Sequence, residues 1–120
     1  MPEIRFCQHL TGFAQFVPSI SDTLRWYEKH LGIQAEAEDE VHAMLYIPGT
    51  NCLVQFLQSD SKTTGANASM FLFVEGIEKV RNAILNTGWD KLTEIVDEGW
   101  CSSVFKVYDL NGFELRICEF

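Results

Sequence analysis

The chain carries a weak internal repeat, which restricts the possible folds more than any other feature of the sequence. In the first half, the segment 15–17 is followed by a helical stretch that stops at Gly32. In the second half, the segment 72–74 is followed by a helical stretch that stops at Gly88. The two glycines lie 56 positions apart, and three strand-like segments follow each of them. The sequence therefore predicts a βαβββ unit that occurs twice.

Each predicted helix has a recognisable beginning and end. The first should begin at Ser19 or Ser21, both of which are good N-cap residues, and stop at Gly32. The second should follow Gly76 and end at Gly88. Apolar residues recur at helical spacing and should face the sheets: Leu24, Tyr27 and Leu31 in the first helix, and Ile77, Val80 and Ile84 in the second.

Alternating residues mark the strands, and turn formers separate them. Met70, Leu72 and Val74 alternate with Phe71 and Phe73, so the two sets should lie on opposite faces. Pro48-Gly49-Thr50-Asn51 and Asn111-Gly112 are predicted hairpin turns. The predicted fold class is α+β: two tandem βαβββ modules form curved mixed sheets, with helices on the outer face and a concave cavity.

Length and charge limit what this fold can do. A chain of 120 residues predicts a single domain, with one module at about 12–58, a polar linker at 59–68 and a second module at about 69–120. The net charge of −8 disfavours nucleic acid and anionic membranes as partners. With no signal peptide or apolar run of membrane-spanning length, a cytoplasmic location is predicted. The four cysteines should then be reduced thiols, although a disulfide stays open: Cys7, Cys52, Cys101 and Cys118.

The two ends of the chain resemble a known family. VPSISDTLRWYEKHLG (residues 17–32) and VYDLNGFEL (residues 107–115) are similar to the two signature ends of the glyoxalase/bleomycin-resistance/dioxygenase superfamily, also called vicinal oxygen chelate proteins. The resemblance covers about residues 12–119. It implies a homodimer, often with cavities between halves of different subunits. The family contains both metal enzymes and metal-free binding proteins.

The family's metal positions can distinguish these two classes. Carried over by position, they fall on Gly12 or Ala14, on Gln55, on Ser69 and on Arg116. Glycine, alanine and serine offer no suitable ligand, and a fixed cation repels a metal ion. The sequence therefore predicts no metal, no other cofactor and no catalytic residue. A rival hypothesis is a divalent-metal glyoxalase, isomerase or dioxygenase that uses an unusual set of ligands: His9, Gln55 and Glu114.

The other histidines have structural interpretations. His30 lies at the end of the first predicted helix, where a cation suits the helix dipole. His42 lies in a strand next to acidic residues and is expected to be solvated.

With the metal positions vacant, the concave face becomes a predicted ligand site. The aromatic residues Phe16, Phe71 and Phe73 share the parity of that face, and Trp100 precedes the penultimate strand, where bleomycin-resistance-like proteins carry a Trp-Gly pair. Here Cys101 replaces the glycine. Aromatic surfaces with a few polar groups suit a planar or cationic organic molecule. The predicted ligand-binding residues are Phe16, Tyr46, Gln55, Phe71, Phe73, Trp100, Glu114 and Arg116, with Phe56 as a further wall.

The resemblance is closest to the metal-free bleomycin-resistance-like branch. The resulting hypothesis is a metal-independent small-molecule-binding protein that sequesters a cationic or aromatic compound in a cleft. Besides the metal enzyme, the open alternative is a non-catalytic interaction module whose aromatic residues only fill the core.

Overall fold

The computed structural model describes residues 11–39, 42–50, 52–59 and 69–119. Within these residues the predicted order of elements recurs twice, with a helix after the first strand of each half. The elements are β1 (Thr11–Val17), α1 (Ile20–Leu31), β2 (Ala37–Glu38), β3 (His42–Tyr46), β4 (Cys52–Gln58), β5 (Ser69–Val74), α2 (Ile77–Asn86), β6 (Val104–Tyr108) and β7 (Glu114–Glu119).

The strands form two mixed sheets that are built in the same way. In the first, β1 pairs in parallel with β4, and β3 and β2 continue the sheet in antiparallel orientation. In the second, β5 pairs in parallel with β7, and β6 is antiparallel to β7. The remaining strand expected in the second half is reduced to two isolated bridges, Leu92 to Val107 and Val96 to Val104.

The caps explain where the helices begin and end. The Ser19 hydroxyl accepts a hydrogen bond from the Asp22 amide at 3.2 Å, so Ser19 rather than Ser21 is the N-cap of α1. Gly32 ends α1 in the left-handed conformation with φ 69°. At α2 the Glu119 carboxylate, from the end of β7, accepts the amides of Gly76 and Ile77. This carboxylate ties the start of α2 to its own sheet.

A single apolar core joins the two halves on the helix side of both sheets. Tyr27 of α1 packs on Phe56 of β4 with ring centroids 5.3 Å apart, and its hydroxyl donates to the Asp109 carboxylate at 2.7 Å. Trp26 of α1 meets Trp89, after α2, at 5.2 Å. These contacts fix the relative position of the halves, and neither of the two described helices covers the other face of either sheet. We call the faces without helices the open faces.

The turn between β6 and β7 differs from the predicted two-residue Asn-Gly hairpin. Five residues connect the strands, and Asp109 organises them: its Oδ1 accepts the amides of Asn111 and Phe113 at 2.8 and 3.0 Å. Gly112, with φ 80°, closes a turn by donating its amide to the Asp109 carbonyl. The buried carboxylate, rather than Asn-Gly alone, therefore sets this loop.

Neither helix is a candidate for crossing a membrane. In the described part of the chain, α1 has 12 residues and α2 has 10, and no helix is both long and apolar enough to span a bilayer.

Candidate functional site

The open face of the three-stranded sheet combines aromatic and charged side chains. Phe71 and Phe73 project from β5, next to Glu114 and Arg116 on β7. The parallel register places Phe71 opposite Arg116. Met70 of β5 points the other way and is buried, as the alternation predicts.

Three aromatic rings form an exposed group on this face. The Phe71 centroid lies 6.1 Å from the Phe73 ring and 6.1 Å from the Trp100 ring, both with edge-on geometry. Phe71, Phe73 and Trp100 remain 58, 54 and 54% exposed. Large aromatic side chains grouped and exposed in this way mark a surface that gains from being covered.

A network of ion pairs holds Trp100 beside the two phenylalanines. Arg116 donates from Nε to Glu114 at 3.0 Å and from Nη1 to Glu98 at 2.8 Å. The Trp100 indole N–H donates to the same Glu98 oxygen at 3.1 Å. Arg116 thus connects β7 to the loop that carries the indole. The hydrogen bond to Glu114 and the charges of Glu98 and Glu114 raise the pKa of Arg116, so the guanidinium stays charged.

The local charges on this face nearly cancel. Lys106 of β6 lies 3.9 Å from the Glu114 carboxylate, so two cations face two anions: Arg116 and Lys106 against Glu98 and Glu114. The site therefore has no large charge excess of its own. Any attraction for cations comes from the net charge of −8 over the whole chain.

The open face of the four-stranded sheet is mainly apolar. Phe16 is 58% exposed and Tyr46 is 39% exposed. Gln55 lies between them in the register and contacts the imidazole of His42 through its side-chain amide. The His42 side chain is half-buried, so it is only partly solvated, and it is paired with Gln55.

The predicted ligand residues are divided between the two sheets. Five of them come together at the open face of the three-stranded sheet: Phe71, Phe73, Glu114, Arg116 and the loop residue Trp100. The other three lie on the four-stranded sheet: Phe16, Tyr46 and Gln55. Phe56 is fully buried on the helix side of β4, so its proposed role as a wall of the cleft was wrong. It alternates with Gln55, and that parity already pointed to the core.

Sequence reasoning missed three polar members of the site. Lys106 and Tyr108 share the parity of the open face in β6, so the alternation could have identified them. Glu98 lies in a loop 18 residues before Arg116, and no local pattern in the sequence marks that pairing.

The positions at which the family resemblance places metal ligands carry unsuitable side chains here. Gly12 lies so close to β4 that an added Cβ would overlap the Leu53 carbonyl oxygen, so no ligand side chain fits there. Ala14 pairs with Gln55 in the register, and Ser69 with Glu114. Gln55 and Glu114 belong to different sheets, and His9 lies outside the described residues. Within residues 11–39, 42–50, 52–59 and 69–119, no three His, Cys, Asp or Glu side chains are grouped as metal ligands would be.

His30 lies at the end of α1, as expected, and packs against two tryptophans. Its ring packs between Trp26 and Trp89, with centroids 5.2 Å from each, and its Nδ1 is hydrogen-bonded to the Thr87 hydroxyl. Burial, followed by the nearby Lys29 charge, lowers the pKa of His30. The imidazole therefore joins α1 to the end of α2, and its lowered pKa disfavours the expected role as a cation at the helix end.

Comparison with solved structures identifies the fold. The chain superposes on a glyoxalase-related enzyme from Clostridium phytofermentans with a TM-score of 0.78 and 19% identity, covering 98% of each chain. A bleomycin-binding protein from Streptomyces verticillus, solved with copper(II)-bleomycin, gives a TM-score of 0.78 at 11% identity, covering 98% of this chain and 99% of that one. A bleomycin resistance determinant encoded on transposon Tn5 gives 0.74 at 12% identity, covering 93 and 98%.

Sequence comparison adds nothing further, since neither family models nor curated proteins match the chain. The structural matches support the predicted resemblance, and the chain has the fold of the glyoxalase/bleomycin-resistance superfamily. Both enzymes and binding proteins share this fold.

Proposed function

We propose that this chain, built on the glyoxalase/bleomycin-resistance fold, binds a planar aromatic compound without a metal ion and sequesters it. The observation that carries the proposal is the group formed by Phe71, Phe73 and Trp100, three rings that are each more than half exposed beside the Arg116 network. Solved structures of this fold include proteins described as bleomycin-binding, which supports a binding role. Catalysis has no comparable support among the described residues.

Stacking contributes most of the proposed affinity. An offset or edge-on aromatic contact is worth about 0.5–1.5 kcal/mol beyond area burial, and a cation over a ring about 0.5–2 kcal/mol. Because Arg116 and Lys106 balance the two glutamates, the site itself accepts neutral and cationic ring systems. The overall charge of −8 then favours the approach of cations.

We further propose that the protein is a homodimer in the cytoplasm. Large aromatic side chains are exposed on both open faces: Phe16 and Tyr46 on one, and Phe71 and Phe73 on the other. Grouped exposed apolar side chains are typical of surfaces that bind a partner. A second copy that covers these faces would turn each shallow surface into a cleft with two walls. Light scattering at micromolar concentration should give twice 13.7 kDa. A mass of one chain would contradict this assembly while leaving the aromatic site to be tested separately.

Calorimetric titration with a planar cationic acridine dye and a neutral ring analogue tests the binding proposal. Trp100→Ala should weaken binding of both dyes about tenfold, because loss of about 1.4 kcal/mol corresponds to one decade. The variant should keep its stability, because the indole is 54% exposed. Leu85→Ala, an exposed apolar residue on α2, serves as the control and should bind the dyes as the parent chain does.

Leu72→Ala provides the opposite case. Leu72 alternates with Phe71 and Phe73 and packs against the core, so its removal should cost about 2 kcal/mol of stability and leave dye binding by the folded fraction unchanged. If Trp100→Ala unfolds the protein and neither dye binds the parent chain, the aromatic group is structural and the proposal fails. An interaction module would then be the better description.

A further inference from the structure

Two cysteines lie side by side at the edge of the aromatic group. Cys101 follows Trp100 directly, and Cys118 lies two residues after Arg116 on β7. The Cys101 thiol lies 3.9 Å from the carbonyl oxygen of Glu119, the residue after Cys118, although the two cysteines are 17 positions apart in the sequence. Both are free thiols.

Backbone contacts keep this thiol pair in position. Val104 pairs with Cys118 in the antiparallel register of β6 and β7, and the Glu119 amide donates to the Ser103 carbonyl at 3.1 Å. The Cys101 thiol contacts the carbonyls of Ser103 at 3.5 Å and Glu119 at 3.9 Å. Cys101 is therefore held against the end of the same strand that carries Cys118.

We propose that Cys101 and Cys118 form a reversible disulfide that locks the Trp100 loop to β7. An S–S bond is about 2.05 Å long, so the two sulfurs must approach each other to that distance. Cys118 belongs to a paired strand in the core, whereas Cys101 belongs to the irregular loop 97–103, which includes Gly99 at φ 87°. The loop side supplies the movement.

The exposure of the two thiols sets the order of reaction. Cys101 is half-buried and Cys118 is fully buried, so a small oxidant reaches Cys101 first. With a low-molecular-weight disulfide as oxidant, the Cys101 thiolate attacks one of its sulfurs and releases one thiolate. The Cys118 thiolate then attacks the Cys101 sulfur of the mixed disulfide and releases the second thiolate. The protein loses two protons and two electrons, and the small disulfide becomes two thiols.

The second step becomes easier once the first has occurred. Burial, followed by the charges of Cys101 and Glu98, raises the pKa of the Cys118 thiol, whereas the charge of Arg116 lowers it. A Cys101 sulfur in a mixed disulfide carries no charge. The Cys101 charge then no longer holds Cys118 protonated, and Arg116 continues to favour the thiolate.

The proposed disulfide would act on the loop that carries Trp100, at the edge of the aromatic group. Trp100 and Glu98 belong to the loop that Cys101 would tether, and Glu98 already binds Arg116. A covalent tether next to Trp100 restricts the indole to its position over Phe71. Building on the proposed function, the oxidised chain should bind the acridine dye more tightly, because less loop freedom is lost on binding.

The test uses the full chain with Cys7→Ser and Cys52→Ser, so that only the thiol pair remains. Treatment with oxidised glutathione should give a product that has lost two hydrogens by intact-mass spectrometry, resists alkylation, and returns to the dithiol with reductant. Adding Cys118→Ser should trap one glutathione on Cys101. Adding Cys101→Ser should give almost no adduct, because the Cys118 thiol is buried.

Three outcomes would overturn the proposal: rapid alkylation of both thiols after oxidation, a stable glutathione adduct on Cys101 while Cys118 is present, or a disulfide between two chains. None of these readouts depends on a ligand, so disulfide formation is tested separately from dye binding. If the protein binds the dye but the oxidised and reduced chains have equal affinity, the proposed effect of the disulfide on dye binding is refuted, whereas disulfide formation itself is not.

Discussion

The buried hydrogen bond between Tyr27 and Asp109 should be one of the most sensitive single contacts in this fold. Both side chains are 1% exposed, and the bond joins α1 in the first half to the β6–β7 loop in the second. Every contact to the Asp109 carboxylate comes from a donor: the Tyr27 hydroxyl and the amides of Asn111 and Phe113. Burial raises the pKa of Asp109, whereas the hydrogen bonds from the three donors lower it because they stabilise the ionised carboxylate.

Tyr27→Phe removes one of these donors and almost no volume. A hydrogen bond to a charged group contributes about 1.5–3 kcal/mol, and the variant leaves Oδ2 buried without the hydroxyl, so we expect a loss of about 2–3 kcal/mol. Because the Tyr27 bond lowers the pKa of Asp109, the pKa should be higher in the variant. As pH falls, Asp109 is protonated at a higher pH in the folded variant than in the folded parent chain. The difference in free energy of unfolding between the two should therefore become smaller at lower pH.

Urea unfolding of the parent chain and the variant at several pH values measures both effects. Tyr108→Phe is a matched control, since its hydroxyl makes only a 3.5 Å contact with Glu114 and its loss should cost under about 0.5 kcal/mol. A cycle with Asp109→Asn should show coupling with Tyr27→Phe but not with Tyr108→Phe. The reasoning is refuted if Tyr27→Phe costs no more than the control, or if its cost grows on acidification.

Two further predictions concern protons and metal. Folding lowers the pKa of His30 from 6.5, so the unfolded chain binds the proton more readily than the folded chain. The free energy of unfolding should therefore be highest above about pH 6.5 and decrease below it. In urea unfolding, His30→Gln should reduce this dependence on pH. If the free energy of unfolding of His30→Gln depends on pH as steeply as that of the parent chain, the pH dependence comes from other groups. Incubation with EDTA should leave the melting temperature unchanged, because the resemblance places the metal ligands at Gly12 or Ala14, Ser69 and Arg116. A fall in melting temperature that zinc, nickel, manganese or iron(II) reverses would favour the enzyme hypothesis.

Local chemistry made much of this fold predictable. Ser19, Gly32 and Gly76 act through their own backbone and side-chain contacts, so the sequence pattern located the helix ends. The alternation in β5 predicted which side chains face the core, because a strand has only two faces. Phe71 and Phe73 are accordingly exposed, and Met70 is buried.

What escaped prediction depends on contacts between distant parts of the chain. The Tyr27 to Asp109 bond, the Glu119 cap on α2 and the Glu98 to Arg116 pair each join segments that no local pattern relates. His30 likewise packs between two tryptophans as a half-buried imidazole with a lowered pKa, which its place at the helix end did not predict. Tertiary context decides such contacts, and a single sequence contains no signal for them.

Arg116 anchors the loop that carries the aromatic Trp100. The family resemblance assigns a metal-ligand position to this residue, where a cation would repel a metal ion and compete with it for carboxylates. Here the guanidinium binds Glu98, which also accepts the Trp100 indole N–H. An arginine in place of a metal ligand would therefore both repel the ion and anchor a ring beside Phe71. A carboxylate at this position would repel Glu98 and Glu114, so restoring one metal ligand alone would release the Trp100 loop without building a metal site.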